Sequence, residues 1–313
     1  MKLRLYTKKN YSHDRSPLFN LQSKKKLAQL LDIPLKSLER LRDGSSLYNV
    51  FSKKRSGKKD RIIEEPIGIR FKAHKRLFGL LQRIETPGYL ISGKRGFSYL
   101  DNAKCHVDNF EFLQLDIERF YPTSKKEFIF RFFRHKLQMS EDVAWLVTDI
   151  VRFQDHIPTG SPISQVLAFW AYENTFNKLA AIAVSNGYTF TLYVDDMTFS
   201  STNAITPNFH LRIGAQLRLV GLKLKRNKIR YRTKNQFKIV TGCVISPDRH
   251  LYVPNKLRKN IVDALVAIDE SEMDESILKS LQGRIVAAQS IEKDIFALSG
   301  NKVKKRFALI HDV

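Results

Sequence analysis

Two adjacent carboxylates, Asp195 and Asp196, stand in the stretch 191–200, TLYVDDMTFS. Like charges side by side repel, so the pair is costly unless a cation lies against it. Hard cations such as Mg²⁺ take carboxylate oxygens and keep positions open for substrate phosphates. By itself the pair also reads as an exposed turn. What separates the two readings is a third acid on another strand. Residues 112–121, FLQLDIERFY, supply one in Asp116. It closes a short alternating pattern, Leu113 and Leu115 about Gln114, where the strand runs out. An Asp there either faces a cleft or caps a turn of helix over 117–120.

The elements that must position these acids are also written in the chain. Apolar, β-prone arms at 190–194 and 197–199 predict a tight hairpin with both aspartates at its tip. Upstream, Leu27, Leu30 and Leu31 share one helical face, and Leu38 and Leu41 a second. Pro34 opens that second helix and Gly44 closes it. Such a pair fits a helix–turn–helix DNA binder or an ordinary helix pair. Residues 51–66, FSKKRSGKKDRIIEEP, read as a basic turn followed by a short strand at Arg61-Ile62-Ile63, and 69–84 as an amphipathic basic helix. Residues 93–96, GKRG, form a glycine-flanked basic loop. Residues 125–152 read as helical, with Phe128, Phe132, Phe133 and Trp145 as core, and 156–165 as a Pro/Gly loop entering an apolar helix at 166–179. An amphipathic helix at 205–219, a strand-like run at 237–245 and a helical tail at 254–313 complete the chain.

Composition narrows the class of partner. The chain has 313 residues and 43% hydrophobic content, enough for a sizeable core. With 54 Lys+Arg against 31 Asp+Glu its formal net charge is +23. That excess opposes compaction by self-repulsion and suits a polyanion. Its basic residues are spread along the chain and not gathered on one amphipathic helix, which favours nucleic acid over a membrane surface. The basic, aromatic residues 1–20 fit either an arm on RNA or a mobile terminus. Cys105 and Cys243 offer neither zinc spacing nor a disulfide framework. No apolar run has signal-peptide or membrane-spanning length, so a cytoplasmic, membrane-free protein is expected.

Taken together, 112–121 and 191–200 resemble the palm of a reverse transcriptase, and the resemblance extends from roughly residue 53 to residue 253. Asp116 matches the aspartate of its first catalytic motif, and Tyr193-Val194-Asp195-Asp196 its Tyr-x-Asp-Asp motif. Pro158-Thr159-Gly160 lies where the family usually has Pro-Gln-Gly, and Gln165 stands in place of a usual Pro. Residues 221–228, GLKLKRNK, resemble the next motif. Two further patterns look like the marks of bacterial retron reverse transcriptases, or msDNA synthases: Asn102-Ala103-x-x-His106, and Val240-Thr241-Gly242.

The resemblance implies an α+β fold of right-hand polymerase architecture, with fingers, an antiparallel-sheet palm and a helical thumb. Its expected divisions are an N-terminal helical extension (1–50), fingers and palm (51–248) and thumb (249–313), with no ribonuclease H domain. The implied activity is RNA-directed DNA polymerisation, a nucleotidyl transfer using two Mg²⁺ ions. Asp116, Asp195 and Asp196 would be catalytic, and the backbone carbonyl of Ile117 a further metal ligand. Arg61, Lys94, Arg95, Thr159 and Gly160 would line the nucleotide site, and Lys228 would approach the leaving pyrophosphate. Tyr121 would pack under the sugar and exclude a 2′-hydroxyl. RNA contacts would fall to Asn102, His106, Val240, Thr241 and Gly242. Implied partners are dNTPs, a cognate structured noncoding RNA, its msDNA product made from an internal 2′-hydroxyl, and a separate effector protein in anti-phage defence. Two rivals remain at this point: another bacterial reverse transcriptase, of group II intron or diversity-generating type, and a non-catalytic nucleic-acid-binding protein.

Overall fold

The computed structural model describes residues 10–55, 57–270, 275–301 and 303. Residues 1–9 of the expected basic arm, and 271–274, 302 and 304–313 of the expected helical tail, lie outside them. The architecture is mixed, with helices packed on antiparallel sheet. In chain order it runs α1 (Lys24–Leu31), α2 (Leu35–Glu39), β1 (Tyr48–Arg55), β2 (Lys58–Pro66), α3 (Gly68–Leu81), α4 (Tyr99–Lys104), β3 (Glu111–Asp116), α5 (Phe120–Thr123), α6 (Lys126–Arg131), α7 (Glu141–Val151), α8 (Ser164–Ser185), β4 (Thr189–Tyr193), β5 (Asp196–Ser201), α9 (Phe209–Arg218), β6 (Arg230–Arg232), β7 (Lys238–Val240), β8 (Cys243–Ile245), β9 (Leu251–Tyr252), α10 (Asn255–Glu270) and α11 (Glu275–Ile291).

The central sheet has strand order β4-β5-β3-β6, all neighbours antiparallel. Side chains alternate across a strand, so register assigns every residue to a face. Leu113 and Leu115 pair with Phe199 and Met197, which pair in turn with Phe190 and Leu192. All six are buried in one core that also takes Leu167, Phe176 and Leu179 from α8 and Leu27, Leu31, Leu38 and Leu41 from the N-terminal helices. Burying such side chains stabilises the sheet by about 1.5–3 kcal/mol each. The opposite face carries Asp116, Gln114, Tyr193, Asp196, Thr191, Thr198 and Ser200. The acids thus sit on the polar face because the alternating leucines claim the other.

A two-stranded hairpin, β1–β2, stands apart from this sheet, and a three-stranded sheet, β7-β8-β9, packs with Ala103 and Phe112. The run 237–245 is therefore two strands joined by a turn at Thr241-Gly242 and not one strand. Helices α10 and α11 bury a separate cluster, Ile261, Leu278, Leu281 and Ile285. Strand β9 continues the small sheet beyond residue 248. In α3, the buried stripe Arg70, Ala73, His74, Leu77 and Leu81 includes two polar residues. Arg70 donates to the carbonyls of Ser46 (2.7 Å), Ile150 (2.7 Å) and Leu41 (2.8 Å), which ties the N-terminal helices to α7. Among the described residues no helix is long and apolar enough to cross a membrane.

Candidate active site

The two-residue turn between β4 and β5 is Val194-Asp195, not Asp195-Asp196 as expected from the arms. Asp196 is already the first residue of β5 and pairs with Tyr193. Val194 takes the turn with φ +60°, a conformation a β-branched side chain disfavours. Its N–H donates to Ser92 Oγ at 2.8 Å, and the neighbouring Leu192 N–H to the Tyr89 carbonyl at 2.8 Å. The segment before the GKRG loop therefore props the hairpin tip.

Asp116 is the direct cross-strand partner of Asp196. Such partners hold their Cβ atoms about 5 Å apart. The Ile117 N–H donates to the Asp195 carbonyl (3.0 Å), and the Asp116 carbonyl accepts from the Lys225 N–H (2.8 Å). Asp116 stands 79 residues before Asp195 in sequence, yet all three acids are thus clamped to one end of the sheet by backbone pairing. Asp116 is only 5% exposed, whereas Asp196 opens to solvent. Desolvation and then the charge of Asp116 push the Asp195 carboxyl up. Desolvation, helped by Asp195, raises that of Asp196 to about 6. Lys228 bonds Asp116 Oδ2. Burial pulls its ammonium down, but the bond to Asp116 and the three negative fields outweigh that and raise its pKa.

Three carboxylates against one ammonium leave net negative charge in the site. Among the described residues no three His, Cys, Asp or Glu side chains form a ready-made metal cluster, these acids included. Their chemistry nevertheless fits a hard divalent cation, since all three offer carboxylate oxygen and two have pKa values raised by burial and by a neighbouring carboxylate.

The other expected site residues divide into those gathered here and those engaged elsewhere. Tyr121 stacks beside Phe120, with ring centroids 5.8 Å apart. Burial, then the charge of Asp195, raises its pKa, and Arg61 acts against that. Exposed Arg61, on β2, is the positive charge that acts on both Asp195 and Tyr121. Lys94 and Arg95 line a cavity of about 100 Å³ with Val194 and Gln165, and the Lys94 ammonium lies 4.7 Å from the Phe97 ring centre.

Thr159 and Gly160 serve a contact that sequence reading missed. Buried Glu64 accepts from the Thr159 N–H (3.0 Å) and lies 3.0 Å from His156 Nε2, while Thr159 Oγ1 donates to the Ile62 carbonyl (2.7 Å). The Gly160 N–H donates to the Glu64 carbonyl (3.2 Å), and a Cβ at 160 would lie 2.9 Å from that oxygen. The close approach that needs glycine is thus to β2 backbone. Little in the run Glu64-Glu65 marks one glutamate for burial. For Arg70 and His74 a signal existed in their place on the apolar stripe of α3.

Asn102 and His106 are not at the surface, with 1% and 0% exposure. Both side chains bond other parts of the protein, Asn102 to Thr241 and His106 to Ser200 and Thr191. Val240 is buried too, which leaves Gly242 exposed and Thr241 half-buried. Asn102, His106 and Val240, expected to bind RNA, are thus buried within the protein.

No family model matches the chain. It is 30% identical over 196 residues to the retron Se72 reverse transcriptase of Salmonella heidelberg (strain 579083-10), an alignment covering 59% of this chain and 49% of that protein. The chain thus spans about half the length of that relative. Over 210 residues it is 23% identical to the retron Ec83 reverse transcriptase of Escherichia coli, covering 63% of this chain and 67% of the relative. The retron Ec86 reverse transcriptase of Escherichia coli is 27% identical over 125 residues, 40% of this chain and 39% of the relative. Among solved structures, telomerase from Candida albicans in complex with a TWJ fragment of telomeric RNA superposes with a TM-score of 0.51 at 9% identity, over 85% of this chain and 58% of that one. At that identity the likeness is one of fold.

Proposed function

We propose, from its similarity to retron reverse transcriptases, that this chain is an RNA-directed DNA polymerase that copies part of a cognate structured noncoding RNA. The observation that carries the reading is the cross-strand pairing of Asp116 with Asp196 beside the Asp195 turn. It puts three hard oxygen-donor side chains at one sheet end, open to solvent on the Asp196 side. Asp116, Asp195 and Asp196, with the Ile117 carbonyl, would hold Mg²⁺. The bound ions would supply Lewis-acid stabilisation of the attacking and leaving oxygens. The chain's own residues do the rest by position and charge. Arg61 gives a permanently charged fork for phosphate. Tyr121 offers a flat wall against a ribose 2′-hydroxyl. Lys228, held on Asp116, sets an ammonium beside the acids for a phosphate entering the site.

In this reading β1–β2 with α3 are fingers, the central sheet a palm, and α10–α11 a thumb. The branched RNA–DNA product, the effector and the role in phage defence follow from the retron resemblance, as does a bacterial cytoplasmic setting. The test is incorporation of labelled dNTPs on the co-purified RNA with Mg²⁺. Asp195→Ala with Asp196→Ala should abolish incorporation and leave RNA affinity within about twofold. Synthesis retained by that variant would remove the catalytic assignment, and RNA binding without any synthesis by the parent chain would favour a non-catalytic binder.

A further inference from the structure

Asn102 and His106 stand four residues apart on α4 and its C-terminal turn, so their side chains leave one rigid turn from the same side. They bond to two different parts of the molecule. His106 Nδ1 lies 2.6 Å from Ser200 Oγ and its Nε2 2.7 Å from Thr191 Oγ1. The ring therefore bridges β4 and β5, the two strands whose tip carries Asp195 and Asp196. Asn109 adds bonds to Ser200 Oγ (2.7 Å) and Thr189 Oγ1 (3.1 Å) on the same face. Asn102 Nδ2 donates to Thr241 Oγ1 at 3.2 Å, and that hydroxyl donates to the Tyr99 carbonyl at 2.9 Å. The turn so held, Thr241-Gly242, has φ +44° and +93° and leaves Gly242 exposed. A β-branched residue at positive φ is strained and persists only where its surroundings hold it.

Stability alone does not account for Asn102. Its Oδ1 is buried with no hydrogen-bond partner among the described residues. Desolvating that oxygen costs more than one ordinary hydrogen bond returns, and an apolar side chain of the same shape would avoid the loss. An amide kept at such a site specifies where Thr241 sits. His106 differs in that both its nitrogens are bonded, and burial keeps the ring neutral.

We propose that Asn102 and His106 are positioning residues that fix the Thr241-Gly242 turn relative to the carboxylate hairpin, so that nucleic acid resting on the turn meets the acids at the right distance. Its catalytic consequence rests on the polymerase reading above; the mechanical link does not. The side chains touch no substrate and act through Thr241, Thr191 and Ser200.

Asn102→Leu keeps the branched shape and removes both the bond and the orphaned oxygen. In the full chain it should leave the thermal midpoint unchanged or raised, lower kcat for dNTP incorporation about ten- to hundredfold, and leave KM for dNTP within about twofold, as misplacement by a fraction of an ångström does. Thr241→Val cuts the same bond from its other end, and the double variant should be no worse than the poorer single. His106→Phe should lower kcat in the same way, with partial recovery in His106→Gln, which again offers two polar atoms. A kcat within about twofold of the parent in Asn102→Leu, or losses that multiply in the double variant, would overturn the proposal. Amide hydrogen exchange reads the link without substrate and so separates it from the polymerase reading. Asn102→Leu should speed exchange over 238–245, and His106→Phe over 189–201. Unchanged exchange in both segments would overturn the link even if the parent chain polymerises, and faster exchange would uphold it even if the parent does not.

Discussion

Asp116, Asp195 and Asp196 are held together against their own repulsion, and Lys228 is the side chain that answers it. Lys228→Met removes that ammonium. With a chelator present the variant should unfold at lower denaturant than the parent, by about 1–2 kcal/mol, a modest figure because Lys228 is nearly half exposed and solvent screens the pair. Equal stability in chelator would show that the contact carries nothing. Tyr121 makes a separate prediction. Its ring is packed beside Phe120 and near Asp195. Tyr121→Ala should let ribonucleotides compete with deoxynucleotides, measured as the ratio of kcat/KM for the two sugars, and an unchanged ratio would count against a gate. The identity of these side chains and their spacing were legible in the sequence. The turn was legible only to within one residue, because the period of a strand does not say which residue takes the left-handed corner. Val194 does so, and Ser92, about a hundred residues earlier, secures it.

Hairpin β1–β2 is tied to the loop before α8 by Glu64, which meets Thr159 and His156, and to the end of α7 by Tyr48, whose hydroxyl donates to the Arg152 carbonyl. Gly160→Ala would set a methyl 2.8 Å from Ile63 Cγ2 and 2.9 Å from the Glu64 carbonyl oxygen. Backbone cannot yield as a flexible side chain does, so the element must shift. The expected cost is about 1–3 kcal/mol in denaturant unfolding, with faster amide exchange in β2. A variant of parental stability with unchanged exchange would show that the hairpin has slack there. Elements of strong period, the leucine faces of α1 and α2 and the alternation of β3, were legible before any coordinates. The split of 237–245 into β7 and β8 was not. Nor was the burial of Glu64 and Asn102, since polar residues enter a core only where distant partners meet them.

At the scale of the molecule, two histidines are buried without charge. Burial lowers His74 and His106 to about 3 from the usual 6.5. The unfolded chain takes up protons at these positions as pH falls below about 6.5, whereas the folded chain does not until about 3, so stability falls with pH through that window. At pH 5 the loss is about 2 kcal/mol for each histidine. Asp196, raised to about 6, acts in the opposite sense but is exposed and screened. Comparison with His106→Gln isolates the histidine: the drop in thermal midpoint between pH 7 and pH 5 should be smaller in the variant, and an equal drop would assign it to other groups. The sequence by itself determined the chemistry available here. It set a basic chain with acids at motif spacing, strands whose alternation puts leucines on one face and carboxylates on the other, and the resemblance to retron reverse transcriptases. Only the tertiary structure decided what those motifs touch. Register across β3 and β5 brought Asp116 to Asp196, and packing of α4 turned Asn102 and His106 inward to Thr241, Thr191 and Ser200. The physical reason is that side-chain type and period are local properties of the chain, whereas hydrogen-bond partners 85 to 139 residues apart exist only once the core has closed.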